Sequence, residues 1–456
     1  MNPEKKVDGI YDATVLGKPK MAVLGLQHMF AMFGATVLVP ALTGLDVATT
    51  LFFAGLGTLL FHLITGMKVP AFLGSSFAFL GGYAAIAGLP ASDPKLLPYA
   101  CAGVAAAGLI YLVLAFFFKQ FGAAKVMRFF PPIVTGPIII CIGLSLAGSA
   151  IQNARSNWIV ASTAIIIGVA ASVWGKGMVK IVPILLGVIG SYVMAMIVDP
   201  AARTHVAETV AAAPWVGLPI HWEKTVFSIF GEGFDSGLLL TAIITIAPIA
   251  LATIVEHIGD MCAISSTVEK NFIADPGLHR TLVGDGLATT LAALFGGPAN
   301  TTYGENTGVL ALSKVYDPKV VRLAALFAMI LSFCPKFAAL IVAMPVATMG
   351  GISLVLYGMI SAVGVRNVVE NQVDFTKTRN VLICAMIMGL SVGLSYNGAL
   401  IIPVGDITIT LSGLAVAALV GIFMNAVLPG KDYEFGINQQ GDTSVNFGTR
   451  AHKEKK

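Results

Sequence analysis

Charged residues are scarce in this sequence. Of its 456 residues only 11% are Asp, Glu, Lys or Arg, whereas about a quarter are charged in an ordinary soluble protein. So few charges cannot cover the surface of a water-soluble fold of this length, which excludes that class. A nucleic-acid-binding protein is also excluded, because the net charge of +4 is small and scattered along the chain.

Cysteine is rare as well. All five cysteines lie within or beside apolar segments, and their spacing fits neither a disulfide framework nor a CxxC metal site. A membrane-embedded enzyme is a further class to consider, but the chain has no HExxH sequence, and its GxSxG match, Gly389–Gly393, lies inside the predicted apolar span Val381–Tyr396 rather than at a strand-to-helix turn. We therefore expect no enzymatic activity, no metal site and no cofactor.

Long apolar runs are what the sequence has in abundance: 56% of residues are hydrophobic and the mean hydropathy is +0.85. A helix needs about 20 apolar residues to cross a bilayer, and this length predicts an all-α polytopic membrane protein with fourteen transmembrane segments. The polar stretch from Asp199 to Asp235 predicts a surface loop with a short amphipathic helix. The predicted spans are Met21–Ala41, Ala48–Thr65, Ala71–Leu89, Tyr99–Phe118, Met127–Ala150, Trp158–Trp174, Ile181–Val198, Leu238–Ile264, Asp285–Gly297, Pro298–Val315, Val320–Val342, Pro345–Val363, Val381–Tyr396 and Thr410–Val427.

The distribution of basic residues predicts the orientation. Lys and Arg concentrate in cytoplasmic loops, and an even number of spans places both termini on one side of the membrane. With both termini inside, 23 of the 28 Lys and Arg face the cytoplasm. We therefore expect the tails, residues 1-20 and 428-456, to be cytoplasmic.

Two pairs of similar segments indicate an internal repeat. Ser75–Phe79 in span three resembles Thr301–Glu305 in span ten, and Pro131–Gly136 in span five resembles Pro345–Gly350 in span twelve. Both pairs are seven spans apart. Because seven is odd, the second copy must enter the membrane from the opposite face, so we predict a 7+7 inverted repeat, as in many secondary transporters.

Spans three and ten are predicted to be interrupted by short extended segments. Ser-Ser-Phe and Thr-Thr-Tyr favour extended backbone, and each is followed by a small residue. The N–H groups of Phe77 and Gly304 would then point towards the membrane centre from the positive ends of two half-helices. The alternative is that these small residues only form helix-packing faces.

Three acids lie inside apolar segments: Glu256, Asp260 and Glu305. The other acids, Asp285 among them, are assigned to tails, loops or span edges. Ionised side chains within a membrane are costly and usually functional, although Asp260 could instead lie at the cytoplasmic end of its span. His28 and His257 could each be a hydrogen-bonded core histidine rather than a ligand or proton donor.

Four motifs together resemble the nucleobase–ascorbate transporter family, also called nucleobase:cation symporter-2, and its uracil-transporting branch in particular. The resemblance extends from Leu24 to Val427. It implies a core domain of residues 21-118 and 238-342, a gate domain of residues 127-198 and 345-427, a homodimer, and the bacterial cytoplasmic membrane. The motifs are Gln27-His28, Gly74-Ser75-Ser76-Phe77-Ala78-Phe79, Glu256-His257-Ile258-Gly259-Asp260 and Asn300-Thr301-Thr302-Tyr303-Gly304-Glu305-Asn306-Thr307-Gly308.

The resemblance also implies a substrate site. Two carboxylates would hold the base, two backbone amides would bind its carbonyl groups, and two tyrosines would line and close the pocket. Uracil offers N–H donors flanked by carbonyl acceptors, which suits such a set of groups. The implied substrate-binding residues are Glu256, Glu305, Phe77, Gly304, Tyr303 and Tyr357.

Two departures from the family pattern bear on the mechanism. Asp260 stands where one uracil permease of the family has His and many relatives have Asp, so a histidine-assisted coupling step is not implied, and Ser313-Lys314 replaces the usual Thr-Arg. Glu at position 305 favours a pyrimidine, since the purine-transporting relatives tend to have Gln there.

We expect proton-coupled uracil uptake by alternating access, with Glu256, Asp260 and His28 as the candidate coupling residues. The alternatives are a purine, xanthine or ascorbate permease, sodium coupling through Asp260 and backbone carbonyls, and an anion transporter of the same fold. The anion transporter is disfavoured because Glu256 and Glu305 would repel its cargo.

Overall fold

The computed structural model describes residues 9–231, 233–404 and 407–431, which are mostly helical. Within these ranges the chain forms nineteen α-helices and four short strands. The first half contains α1 (Lys18–Thr43), α2 (Val47–Ile64), β1 (Leu73–Ser75), α3 (Leu80–Ile86), α4 (Leu97–Phe121), α5 (Ala123–Met127), α6 (Pro132–Ala154), α7 (Trp158–Trp174), α8 (Met178–Ile181), α9 (Pro183–Val198) and α10 (Pro200–Ala212). The second half contains α11 (Ser236–Ile246), α12 (Ala250–Val268), α13 (Leu278–Leu294), β2 (Asn300–Thr302), α14 (Gly304–Ser313), α15 (Pro318–Ser332), α16 (Pro335–Val342), α17 (Val346–Glu370), α18 (Thr378–Asn397), β3 (Leu400–Val404), β4 (Ile407–Leu411) and α19 (Gly413–Val427).

Short acidic side chains fix where several of these helices begin. Asp46 accepts a 2.8 Å hydrogen bond from the backbone N–H of Thr49 at the start of α2, and Asp235 caps α11 in the same way. The first N–H groups of a helix have no partner within the helix, so a carboxylate there satisfies them. Asp46 also binds the ammonium of Lys224 at 2.8 Å, which ties the loop before α11 to α2.

The number of membrane spans remains a prediction. Within the described residues, seven helices are long and apolar enough to cross a bilayer, and two further candidates are helix pairs bent by 115° and 87°. Of the other predicted spans, α7 and α19 are shorter apolar helices, spans three and ten combine a strand with a helix, and span nine corresponds to the 17-residue helix α13. The expected surface loop with a short helix between Asp199 and Asp235 is present, since α10 has no buried residue.

Several boundaries differ from the predicted ones, those of spans nine and fourteen among them. Span fourteen was expected from Thr410, but residues up to Leu411 belong to β4, which pairs antiparallel with β3. The helix begins only at Gly413, after Ser412 has capped it. The alternation of Ile and Thr in residues 407–410 explains the strand, because β-branched residues favour extended backbone.

A second difference lies in span nine. It was expected to begin at Asp285, whereas α13 already begins at Leu278, so Asp285 lies in its middle and is fully buried. Thr281, Asp285 and Thr289 are four residues apart and buried on one face of the helix. These polar residues lowered the apolar average of the segment and moved the predicted start two turns too late.

The two extended segments pair with each other. β1 and β2 are antiparallel, with Leu73 opposite Thr302 and Ser75 opposite Asn300. Gly74 makes this crossing possible, since a Cβ there would lie 2.6 Å from an atom of the Tyr303 ring. The extended backbone is thus present as expected; that it interrupts two membrane spans stays a prediction.

Helix pairs joined through glycine hold the rest of the fold together. The most extensive packing is between α6 and α17, α4 and α13, and α2 and α15. A Cβ on Gly364 of α17 would lie 2.7 Å from the carbonyl oxygen of Gly136 in α6, and one on Gly286 of α13 would lie 2.7 Å from that of Gly108 in α4. Small residues permit such close approach, which supplies much of the packing between membrane helices.

We predict that Gly364→Ala lowers the melting temperature, because its methyl group would meet backbone atoms of Gly136 and Ile140 that cannot move aside. Overpacking of this kind costs about 1 to 3 kcal/mol. The matched control is Gly358→Ala in the same helix, where a Cβ meets open space. Thermal unfolding of both variants in the same detergent checks this, and equal melting temperatures would contradict it.

Candidate substrate site

The acids identified in the sequence come together at the start of α14. Glu256 and Asp260 lie one turn apart on α12, and Glu305 is the second residue of α14. All three side chains are partly exposed although both helices pack inside the protein, and Glu305 is close enough to Glu256 for the two charges to interact. The acids therefore border an internal space.

Glycines mark the extent of that space. A Cβ built on Gly259 or Gly308 would meet no atom within 4 Å, and one on Gly304 would meet only Asp260 Oδ1, at 3.9 Å. Gly304 and Gly308 are exposed while Tyr303 and nearby Asn306 are buried. The first backbone N–H groups of α14 have no partner within the helix, so they present the positive end of its dipole to this space.

The carboxylates of Glu256 and Glu305 are the uncommitted ones. In the described part of the chain, no other residue donates a hydrogen bond to either carboxylate, and no Lys or Arg pairs with them. Asp260 differs, because its Oδ2 accepts a 2.7 Å hydrogen bond from the hydroxyl of Thr302 in β2. Asp260 lies two turns before the end of α12 at Val268.

Phe77 and Tyr357 pack together in the apolar cluster that also contains Tyr303. Phe77 lies in the non-helical turn between β1 and α3, and within the described ranges its backbone N–H has no hydrogen-bond partner. Its ring packs edge-on against that of Tyr357 in α17, with 6.0 Å between centroids and 77° between planes. Both side chains are buried. The contact joins the β1–α3 segment to α17.

Tyr303 stabilises the crossing of the strands. Its hydroxyl donates a 2.8 Å hydrogen bond to the carbonyl oxygen of Ser75, and its backbone N–H donates one of 3.0 Å to that of Phe72. The hydroxyl is thus already engaged within the protein. Any contact of Tyr303 with a ligand would be made by the ring.

His28 of α1 is tied to α14. The side-chain amide of Asn306 donates to the carbonyl oxygen of His28 at 3.0 Å and lies 3.2 Å from its Nδ1. If the ring is neutral with Nδ1 as acceptor, Nε2 carries the proton. Nε2 is buried and has no hydrogen-bond partner among the described residues.

Sequence reasoning missed a fully buried acid on α13. Asp285 of α13 lies 2.9 Å from His257 Nδ1, and both side chains are fully buried. The other ring nitrogen of His257 lies 3.0 Å from the hydroxyl of Thr281. His257 is therefore a core histidine with partners, as one of the two alternatives held, and Asp285 is not an edge residue. The four-residue spacing of Thr281, Asp285 and Thr289 was the signal that could have revealed it.

Comparison with known proteins identifies the family. Residues 19–400 match the family profile described as "Permease family". The chain belongs to the permease family. This agrees with the family expected from the motifs, and the chain is accordingly a multi-pass membrane protein.

Two relatives and one solved structure illustrate the similarity. A uracil permease of Bacillus caldolyticus is 39% identical over 436 residues, which span 94% of this chain and 96% of the relative. A uracil permease of Escherichia coli (strain K12) is 38% identical, with 89% and 90% of the two chains covered. The transmembrane domain of a cyanobacterium bicarbonate transporter, BicA, has a TM-score of 0.53 at 14% identity and covers 91% of this chain and 98% of its own. At that identity it shows a shared fold alone.

We predict that Asp285→Ala destabilises this permease, because it removes the carboxylate that lies 2.9 Å from His257 Nδ1 in a fully buried position. A buried polar group left without a partner costs about 1 to 3 kcal/mol. The control is Asp275→Ala, which removes an exposed partner of Lys68 and should change stability little. Thermal unfolding in detergent compares them, and a well-folded Asp285→Ala with an unchanged melting temperature would be inconsistent with a structural pair.

Proposed function

We propose that this chain is a secondary active transporter that takes up uracil together with protons. The observation that carries the proposal is a pair of carboxylates that have no partner among the described residues: Glu256 on α12 and Glu305 at the start of α14. The names of the two relatives supply the substrate class, since both are uracil permeases.

The chemistry of uracil suits these groups. A carboxylate accepts hydrogen bonds from ring N–H groups, and a free backbone N–H, such as that of Phe77 or Gly304, donates to a ring carbonyl. Each polar group of the base left unpaired in a dry site would cost about 1 to 3 kcal/mol. Glu256 and Glu305 would also repel an anion, which speaks against a cargo like that of the bicarbonate transporter.

The pattern of helix packing supports the proposed fourteen-span inverted repeat. A shift of seven spans relates α1 to α11 and α12, α2 to α13, α4 to α15, α6 to α17, α7 to α18, and α9 to α19. Under this shift the contact of α2 with α15 corresponds to that of α13 with α4, and both contacts are observed. The contact of α7 with α9 corresponds to that of α18 with α19, and both of these are observed as well. The contacts of α7 with α17 and of α1 with α15 likewise become α18 with α6 and α11 with α4. Two halves related by a pseudo-two-fold axis would produce this correspondence.

The same arrangement is consistent with core and gate domains. In this proposal spans one to four and eight to eleven carry the site, and spans five to seven and twelve to fourteen form the gate. The contact between Phe77 and Tyr357 would then lie between the domains and would separate when the core moves. We propose that this motion gives alternating access in a homodimer in the bacterial inner membrane, with both termini cytoplasmic.

Glu256 and Glu305, which have no basic partner among the described residues, support proton coupling. Accumulating a neutral base requires an ion, and an acid without a basic partner in the membrane favours protonation. A protonated Glu256 could also donate to a uracil carbonyl, which would link proton and substrate. Asp260 and His28 are the next candidates; Asp260 is partly engaged by Thr302.

We predict that Glu305→Gln weakens uracil binding by roughly one to two decades, since a charged hydrogen bond is worth about 1.5 to 3 kcal/mol. Calorimetry on the purified variant measures this, with Glu208→Gln in the exposed helix α10 as the matched control. Competition of uracil uptake by xanthine, hypoxanthine and ascorbate tests the substrate class. Unchanged affinity in a folded Glu305→Gln would remove Glu305 from the site, and stronger competition by a purine would replace uracil as the substrate.

We predict that Glu256→Gln still inserts into the membrane and folds but no longer concentrates uracil. The reason is that a side-chain amide does not take up and release a proton near neutral pH. The measurement is uptake into vesicles with an inward proton gradient in sodium-free medium, with and without a protonophore. Wild-type accumulation should collapse when the protonophore is added. Uptake that requires sodium and ignores the protonophore would refute proton coupling, and accumulation by Glu256→Gln would move the coupling role to another residue.

A further inference from the structure

A groove opens on the outer wall of the molecule between α4 and α19. It encloses about 690 Å³. Phe117 and Phe121 of α4 form one wall, Phe423 and Ala426 of α19 form the other, and Leu251 of α12 lies between them. We call it the α4–α19 groove.

The walls of the groove are apolar and open to the surroundings. Phe117, Phe121 and Phe423 are 41%, 54% and 66% exposed. The rings of Phe117 and Phe121, one turn apart on α4, stack at 6.0 Å with 18° between their planes, so that wall is a continuous aromatic surface. In a protein that spans a membrane, such a recess faces acyl chains rather than water.

One end of the groove is basic. Lys125 and Arg128, on the segment that joins α4 to α6, are the charged residues of its lining. Both are exposed, and within the described residues neither pairs with a carboxylate. The buried side-chain amide of Asn425 in α19 donates a 3.0 Å hydrogen bond to the carbonyl oxygen of Arg128. The basic end is therefore held in place against the wall formed by α19.

We propose that the α4–α19 groove binds an anionic phospholipid. Its acyl chains lie against the aromatic walls, and its phosphate lies between Lys125 and Arg128. A basic end beside an apolar recess between membrane helices is the arrangement that recognises anionic headgroups. A free phosphate ion would make no use of the apolar walls, and an uncharged lipid would make no use of the two cations.

The location of the groove gives the lipid a role in transport. Apart from its edge on α12, the groove separates two sets of helices: α4 packs on α11 and α13, whereas α19 packs on α6 and α18. These sets belong to the proposed core and gate domains. A bound lipid would touch both and would change the rate at which they move past each other. This effect rests on the proposed function, whereas the binding itself does not.

The test measures lipid retained by the purified full-length protein. Native mass spectrometry would compare phosphatidylglycerol with phosphatidylcholine of the same acyl chains, and glycerol 3-phosphate serves as the headgroup alone. The wild type should retain phosphatidylglycerol in preference to phosphatidylcholine and should not bind glycerol 3-phosphate. Each cation near a membrane surface contributes about a fivefold change in affinity, so Lys125→Gln with Arg128→Gln should weaken phosphatidylglycerol retention about 25-fold.

Two further variants make the test specific. Lys176→Gln with Lys180→Gln removes the same charge from another loop expected on the same side of the membrane, and it should retain the lipid as the wild type does. Ala426→Trp fills the groove and should lose both lipids, with thermal unfolding used to verify that the protein is folded.

Three results would overturn the proposal. These are equal retention of the two lipids by the wild type, binding of glycerol 3-phosphate as strong as that of the lipid, and an equal loss in the Lys176 and Lys180 control. Because the readout is bound lipid, a protein that binds phosphatidylglycerol as expected but transports no uracil would contradict the proposed function without contradicting this one.

Discussion

The hydrogen bonds between β1 and β2 are the interaction on which the candidate site depends. Extended backbone inside an apolar chain leaves polar groups that neither lipid nor helix can satisfy. Here the two segments satisfy each other, and the N–H of Ser76 and the hydroxyl of Tyr303 extend the network to Ala299 and Ser75. Because the strands are fixed in this register, the starts of α3 and α14 are fixed as well. The free N–H groups of Phe77, in the turn before α3, and of Gly304, at the start of α14, are what the site has to offer a carbonyl.

The four acids on α12, α13 and α14 divide according to their partners. Asp285 lies 2.9 Å from His257, and Asp260 accepts a hydrogen bond from Thr302 in β2. Glu256 and Glu305 remain uncommitted within the described part of the chain and border open space. An uncompensated carboxylate at membrane depth is costly unless it binds something or takes up a proton. In our proposal Asp285 and Asp260 stabilise the fold, whereas Glu256 and Glu305 are available to a ligand or a proton. This division explains why one region carries four acids.

The fold itself does not select the cargo. A bicarbonate transporter with 14% identity shares the architecture, and function depends on the side chains placed upon it. In our proposal the starts of two opposed half-helices present positive ends to the cargo, and Glu256 and Glu305 make the region suit a neutral molecule with N–H donors rather than an anion.

The sequence by itself determined the membrane class, the three acids at 256, 260 and 305, and the extended character of the segments that became β1 and β2. These features are local: they depend on average hydropathy, on rare charges within apolar runs, and on β-branched or aromatic residues in succession. Tertiary structure decided what each group does, because its partner lies far away in the chain. Asp285 meets His257, Asp260 meets Thr302, and Asn306 meets His28 only after folding. The mean hydropathy of a sequence window does not show which face of α13 is buried. The buried polar residues of this helix therefore led to a predicted span edge at Asp285. The free energy of a buried polar group is set by its non-local partner, and that partner is supplied by the fold.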